Sequence, residues 1–303
     1  MRQRRNHVRS CHTTRWYKER MFGLGRAKLP IAEEDRLWID RSLARLAGLL
    51  GIQRMRQAVV MLPTPEHFPD RFDGTDKALD VMFRRVAERM EVDPDTIELE
   101  IFDDATQASQ TLVPFWSGEN SGAGGLYGHD GVSRTVIAVN SSQLKNPMAL
   151  VATLAHELGH AILLRPGLVK PNEPDMEPLN DLLTVFLGFG VFNANSVFQF
   201  QQYNSYDRQG WSTRRLGYLS EQQFGYALAR FAVERGESKP EWAKYLSTNV
   251  ASYCKESIAW LRENERRGRR SGASEYCPFK RLLKRSPFPT PRLVDRPTHS
   301  SSY

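Results

Sequence analysis

Thr153-Leu154-Ala155-His156-Glu157-Leu158-Gly159-His160 is the stretch from which the rest of the chain is best read. On an α-helix, His156 and His160 stack one turn apart on the same side. That spacing lets both imidazoles reach a single zinc ion at about 2.0–2.1 Å, and Glu157, beside them, can reach a water on that ion. Val151, Leu154, Ala155, Leu158 and Ile162 recur at helical spacing and form a stripe for a core. The segment is therefore expected to be a helix with a core face and a metal face. Asn146-Pro147 can start it, and Pro166-Gly167 breaks it after Arg165.

A catalytic zinc needs a third protein ligand and one open position. A polar, proline-rich loop through Pro171 and Pro174 leads to Asp175-Met176-Glu177-Pro178-Leu179-Asn180-Asp181, which opens a long apolar run. Asp175 reads as the N-cap of a second helix, whose first turn tolerates Pro178. Glu177 and Asp181 share a face of that helix. If it returns antiparallel to the first, Glu177 completes the site. Asp181 can then hydrogen-bond the outer nitrogen of a ligating histidine and fix its tautomer. The competing readings are Asp181 as third ligand, or either acid serving only the helix dipole.

His156-Glu157-x-x-His160 followed by Glu177-x-x-x-Asp181 resembles the gluzincin metallopeptidases, zincins with glutamate as third ligand. It is also similar to the minimal zincin domains of bacterial proteins related to the ImmA/IrrE group. The resemblance covers roughly residues 95 to 200. The gap from His160 to Glu177 is a few residues shorter than in thermolysin-like enzymes, which keeps Asp181 in play. The resemblance implies an α+β, mostly helical, zincin-like fold with a small sheet packed beside the metal helix. It further implies one Zn²⁺ per chain, a peptide or protein substrate, and hydrolysis with Glu157 as general base. Zincins commonly bind peptide by strand addition to an edge strand above the metal helix, and Arg134–Val139, with Val136 and Ala138, takes that place here. A catalytically weak zincin-fold module, stabilised by metal and used for binding or regulation, is the second expectation. A helical interaction protein with a chance motif is the third.

Upstream, the pattern predicts an amphipathic helix over residues 31–50, a short apolar segment from Met55 to Leu62, and a loop at 66–74 that Phe68 and Phe72 pin to the core. A helix is predicted from Asp76 to Met90. Ile97-Glu98-Leu99-Glu100-Ile101-Phe102 alternates as a half-buried strand. Residues 103–124 read as a loop with helical potential near Gln107–Leu112. Gly125–Tyr127 is expected to pair with 134–139 through a turn at His129–Gly131. Tyr127 could line the cleft, and His129 reads as a turn residue with a second possibility as an oxyanion donor.

Downstream, Leu182–Phe192 reads as a buried helix. Its Gly188 and Gly190 are expected to pack closely against the metal helix near Gly159, with Asn193 and Asn195 ending it. A polar, aromatic loop follows over 199–219. Ser220-x-x-Gln223 is a capping box that opens a helix to Glu234, and Lys239-Pro240-Glu241 starts a final helix to about Asn264. Among the downstream tyrosines Tyr203, Tyr206, Tyr218 and Tyr226, one could donate to an oxyanion.

At 303 residues and 40% hydrophobic, the chain can bury a sizeable core. Cys11, Cys254 and Cys277 form no C-x-x-C pair, which fits a reducing, cytoplasmic location. No stretch has the ~18 or more apolar residues of a membrane span. The net charge of +7 is uneven. Residues 1–28 hold nine Lys/Arg and one Glu, and 266–303 hold ten Lys/Arg and two acids, so each end carries +8 and the body 29–265 carries −9. Both ends read as solvated, flexible segments, a basic arm and a basic Pro-rich tail, with nucleic acid as a less favoured partner.

Overall fold

The structure is a computed structural model and describes residues 27–103, 113–114, 125–129, 135–165, 168–170, 173–205 and 219–271. Helices α1 (Glu33–Leu50), α2 (Ile52–Gln57) and α3 (Asp76–Arg89) come first. A small sheet follows, formed by β1 (Ile97–Phe102), β2 (Val113–Pro114), β3 (Gly125–His129) and β4 (Thr135–Asn140). Then come α4 (Pro147–Leu163), α5 (Met176–Phe186), α6 (Gly190–Ser205), α7 (Glu221–Glu234) and α8 (Thr248–Ser271). The architecture is α+β and mostly helical, as the sequence pattern indicates.

α4 is the central element. Asn146 caps it, its side chain accepting from the Ala149 N–H at 3.2 Å, and Pro147 opens the first turn. Residues Ala149–His160 are all buried, which an amphipathic surface helix would not be. Leu150, Leu154, Leu158 and Ile162 are fully covered, each contributing roughly 1.5–3 kcal/mol of burial. α3, α5, α6 and β3 all pack on it.

The sheet order is β1-β4-β3-β2. β1 runs parallel to β4, with Ile97 opposite Thr135, and β3 runs antiparallel to β4, with Tyr127 opposite Ile137. Ile97, Ile137 and Val139 join the main core, whereas Phe102, Leu126, Val136 and Ala138 form a separate cluster. Successive strand residues alternate faces, so Val136 and Ala138 lie on the face opposite Ile137 and Val139. This corrects the expected substrate strand. β4 is paired on both sides and cannot accept a further strand, and the side chains of Val136 and Ala138 are buried in the second cluster.

The long apolar run breaks into two helices. Gly188 has φ +92°, a conformation only glycine adopts freely, and a Cβ there would lie 2.2 Å from the Val59 carbonyl oxygen. Its own carbonyl accepts from the Met61 N–H at 2.9 Å. A Cβ at Gly190 would meet Leu228 and Val185. These glycines therefore accommodate the 59–61 segment and α7, not α4. Asn193 and Asn195 do not end the helix. They lie inside α6 and donate to the carbonyls of Ala152 (3.2 Å) and Tyr245 (2.8 Å).

Elsewhere the correspondence is close. Phe68 packs edge-on against Phe192, with ring centroids 5.4 Å apart. The Ser220–Gln223 capping box is formed at both ends. The final helix starts later than expected, after a 3-10 turn at Glu241–Tyr245, and runs to Ser271. The loop expected over 199–219 is instead helical through Ser205, where α6 ends, while residues 206–218, the helical potential at Gln107–Leu112 and the His129–Gly131 turn beyond His129 lie outside the described residues. So do Tyr206, Tyr218 and most of both basic ends.

Candidate metal centre

α4 and α5 bring three potential ligands together. His156, His160 and Glu177 each offer a ligand atom, and these atoms lie within 4.8 Å of one another. Glu177 Oε2 is 2.9 Å from His156 Nε2, and its Oε1 is 3.5 Å from His160 Nε2. Two ligands on a tetrahedral zinc with ~2.0–2.1 Å bonds stand about 3.3–3.4 Å apart. The two contacts here run to different oxygens of Glu177, so ligation through one oxygen would need the carboxylate to turn between the two imidazoles. Two nitrogens and one carboxylate oxygen also match the ligand set of an open, catalytic zinc site.

Asp181 does not join this group. Its Oδ1 is 3.1 Å from His156 Nδ1, and its Oδ2 accepts the Leu219 N–H at 2.9 Å. The carboxylate therefore orients the imidazole so that Nε2 faces Glu177. Both carboxylate oxygens of Asp181 are used, Oδ1 toward His156 on α4 and Oδ2 for the chain entering α7. His160 has no such partner: its Nδ1 is buried without a hydrogen bond among the described residues.

The electrostatics follow from burial and pairing. Burial lowers the His156 pKa, but the carboxylates of Asp181 and Glu177 outweigh it and hold the imidazole well above its usual value. Burial raises the Glu177 carboxyl, yet the imidazoles of His160 and His156 pull it far below the usual carboxylate range. Glu157 is 6% exposed, and burial pushes its carboxyl up against the opposing pull of His156 and His160. Asp181 is likewise raised by burial, with His156 and the Leu219 N–H acting against the shift.

β3 closes one side of the centre. A Cβ on Gly125 would lie 2.6 Å from the Thr153 methyl and 3.0 Å from both Cγ and Oε1 of Glu157. Gly125 is therefore what lets the strand backbone sit on the glutamate. Tyr127, two residues on, stacks its ring on His160, with centroids 6.1 Å apart and planes at 24°. His129 lies in β3 opposite Thr135 rather than in a turn, and its side chain is outside those described, as is that of Tyr203. Tyr226 is elsewhere. Its hydroxyl donates to Asp40 Oδ1 at 3.0 Å, inside a buried group with Arg36 and Arg230 that joins α1 to α7.

Two features of the centre escape the sequence reading. Asn180 is fully buried, and its Nδ2 donates to the His156 carbonyl oxygen at 2.8 Å. It fits only because residue 159 is glycine: a Cβ there would lie 2.0 Å from Asn180 Oδ1. The signal available was a polar residue inside an apolar run, three positions after Glu177. The second concerns Asp175, which makes no side-chain cap. Its Oδ2 accepts from Trp38 Nε1 at 2.9 Å instead.

No family model, curated protein or solved structure matches this chain. Among the described residues no helix is long and apolar enough to cross a membrane.

Proposed function

We propose that this chain is a single-zinc hydrolase of the gluzincin type, acting on peptide bonds. The observation that carries the reading is the convergence of His156, His160 and Glu177 on one point, with Asp181 orienting His156 from behind. In this reading Glu177 is the third ligand and Asp181 the supporting partner of His156. A bound zinc would lower the pKa of its water toward about 7 and polarise the substrate carbonyl.

The remaining work falls to the chain's own residues. Glu157, its pKa raised by burial, accepts a proton from the attacking water and returns it to the leaving amine. Asp181 holds a proton on His156 Nδ1 and so leaves Nε2 as the ligating nitrogen. Substrate contact belongs to β3 rather than β4, because β3 carries Gly125 against Glu157 and Tyr127 over His160.

The test is turnover of a broad set of quenched fluorescent peptides by zinc-loaded protein, with Glu157→Gln alongside. The variant should retain its zinc and lose about 10²–10⁴-fold in rate. A Glu157→Gln protein as active as wild type would refute the role of Glu157. A zinc-loaded wild type that cleaves nothing would replace the hydrolase with a metal-stabilised binding module.

A further inference from the structure

Glu177 sits in the first turn of α5, and that turn is held from another part of the fold. Asp175 Oδ2 accepts the indole N–H of Trp38. Two residues earlier, the Glu173 carboxylate takes Arg45 Nη1 at 2.9 Å and Nη2 at 3.3 Å, a two-pronged contact. Trp38 and Arg45 are seven residues apart on α1, two helical turns, and so present one face to the turn. Both anchor points therefore come from a single rigid element. Met176, next in the chain, is fully buried, so the turn is fixed from outside by α1 and from inside by the core.

The geometry gives these contacts a consequence at the metal centre. Advancing α5 by one residue would rotate Glu177 by about 100° and shift it by about 1.5 Å. Either change would remove its carboxylate from the two imidazoles. The helix has no side-chain cap of its own to define its first residue, and the anchors supply that definition.

We propose that Trp38 and Arg45 are positioning residues of the metal centre: α1 fixes the start of α5, and thereby places Glu177 against His156 and His160. The inference rests on the metal-site reading and extends the functional unit to the N-terminal helical layer.

The full-length chain is tested as Trp38→Phe, Arg45→Glu, Glu173→Arg and the charge swap Arg45→Glu/Glu173→Arg, with His160→Ala as the metal-free control. Zinc affinity is read by competition with a chromophoric chelator, and the thermal midpoint is read without metal. Trp38→Phe and each single charge reversal should weaken zinc by roughly tenfold, the lower end of what supporting partners of metal ligands cost. The swap should recover the affinity to within about threefold. Such recovery would not follow from general destabilisation.

Single variants that bind zinc like wild type would overturn the inference while leaving the metal site standing. So would affinity losses that track the metal-free midpoint and are not recovered in the swap. A wild-type protein that takes up no zinc would overturn the metal-site reading and this inference together.

Discussion

Gly159→Ala is a demanding test of how the centre is built, because the structure sets both its sign and its rough size. The added Cβ would lie 2.0 Å from Asn180 Oδ1 and 3.0 Å from its Cγ. Asn180 has no free space, being fully buried and bound through Nδ2 to the His156 carbonyl oxygen. Turning the amide gives up that bond and still leaves Cγ 3.0 Å from the added Cβ, so α5 must also move away from α4. Overpacking of this kind costs about 1–3 kcal/mol, and a buried group left unpaired costs about 1–3 kcal/mol more. Replacing glycine by alanine inside a helix returns about 1 kcal/mol. The balance is a loss of roughly 1–5 kcal/mol, centred near 3.

At about 2–4 °C per kcal/mol for a body of this size, a 3 kcal/mol loss lowers the thermal midpoint by roughly 6–12 °C. The decisive assay is a double-mutant cycle with Asn180→Ala, measured by denaturant unfolding. With the amide removed, the clash is gone, and Gly159→Ala should become neutral or stabilising by up to about 1 kcal/mol. A coupling of 2 kcal/mol or more is therefore expected, near the upper part of the range for residues in contact. A Gly159→Ala protein as stable as wild type, or costs that simply add in the double variant, would refute the reasoning.

Two further outcomes follow from the ion pairs around His156. Asp181→Asn should weaken zinc by about 10–100-fold, as measured by chelator competition, because it removes the charged partner that holds the imidazole. In the metal-free fold the carboxylates of Asp181 and Glu177 outweigh burial and raise the His156 pKa, so a metal on Nε2 competes with a proton there. Zinc binding should therefore release protons, seen as a buffer-dependent calorimetric enthalpy, and its affinity should fall as pH drops. The sign for stability is opposite. The contribution of the raised His156 pKa to the metal-free fold is fully present below about 6.5 and is lost as pH rises through the folded value. An affinity independent of pH would contradict the assignment of that proton.

What the sequence made legible was local. The central helix α4, its Asn146 cap, the shared face of Glu177 and Asp181, and the Ser220 capping box each depend on residues within a turn or two of one another. What it hid was set by distant partners. Nothing near Thr135–Asn140 says that Ile97–Phe102 will pair with it in parallel and make it a central strand, since that pairing joins segments far apart in the chain. Asp175 has the chemistry of an N-cap, but Trp38 takes its carboxylate. Gly188 looks like a costly helix interior residue until the Val59 carbonyl is placed against it. Asn193 and Asn195 have the composition of a helix end, yet they bond to carbonyls on neighbouring elements. Asn180 and Gly159 are each unremarkable alone and acquire meaning only as a pair across two helices.

The measurement that tests the account most directly is the metal content of purified protein by elemental analysis, wild type beside His160→Ala. The account predicts about one zinc per wild-type chain and essentially none in the variant, since removing one of three ligands breaks the set. A wild type that holds no zinc after zinc has been supplied and the excess removed would contradict it. So would a His160→Ala protein that keeps the full stoichiometry.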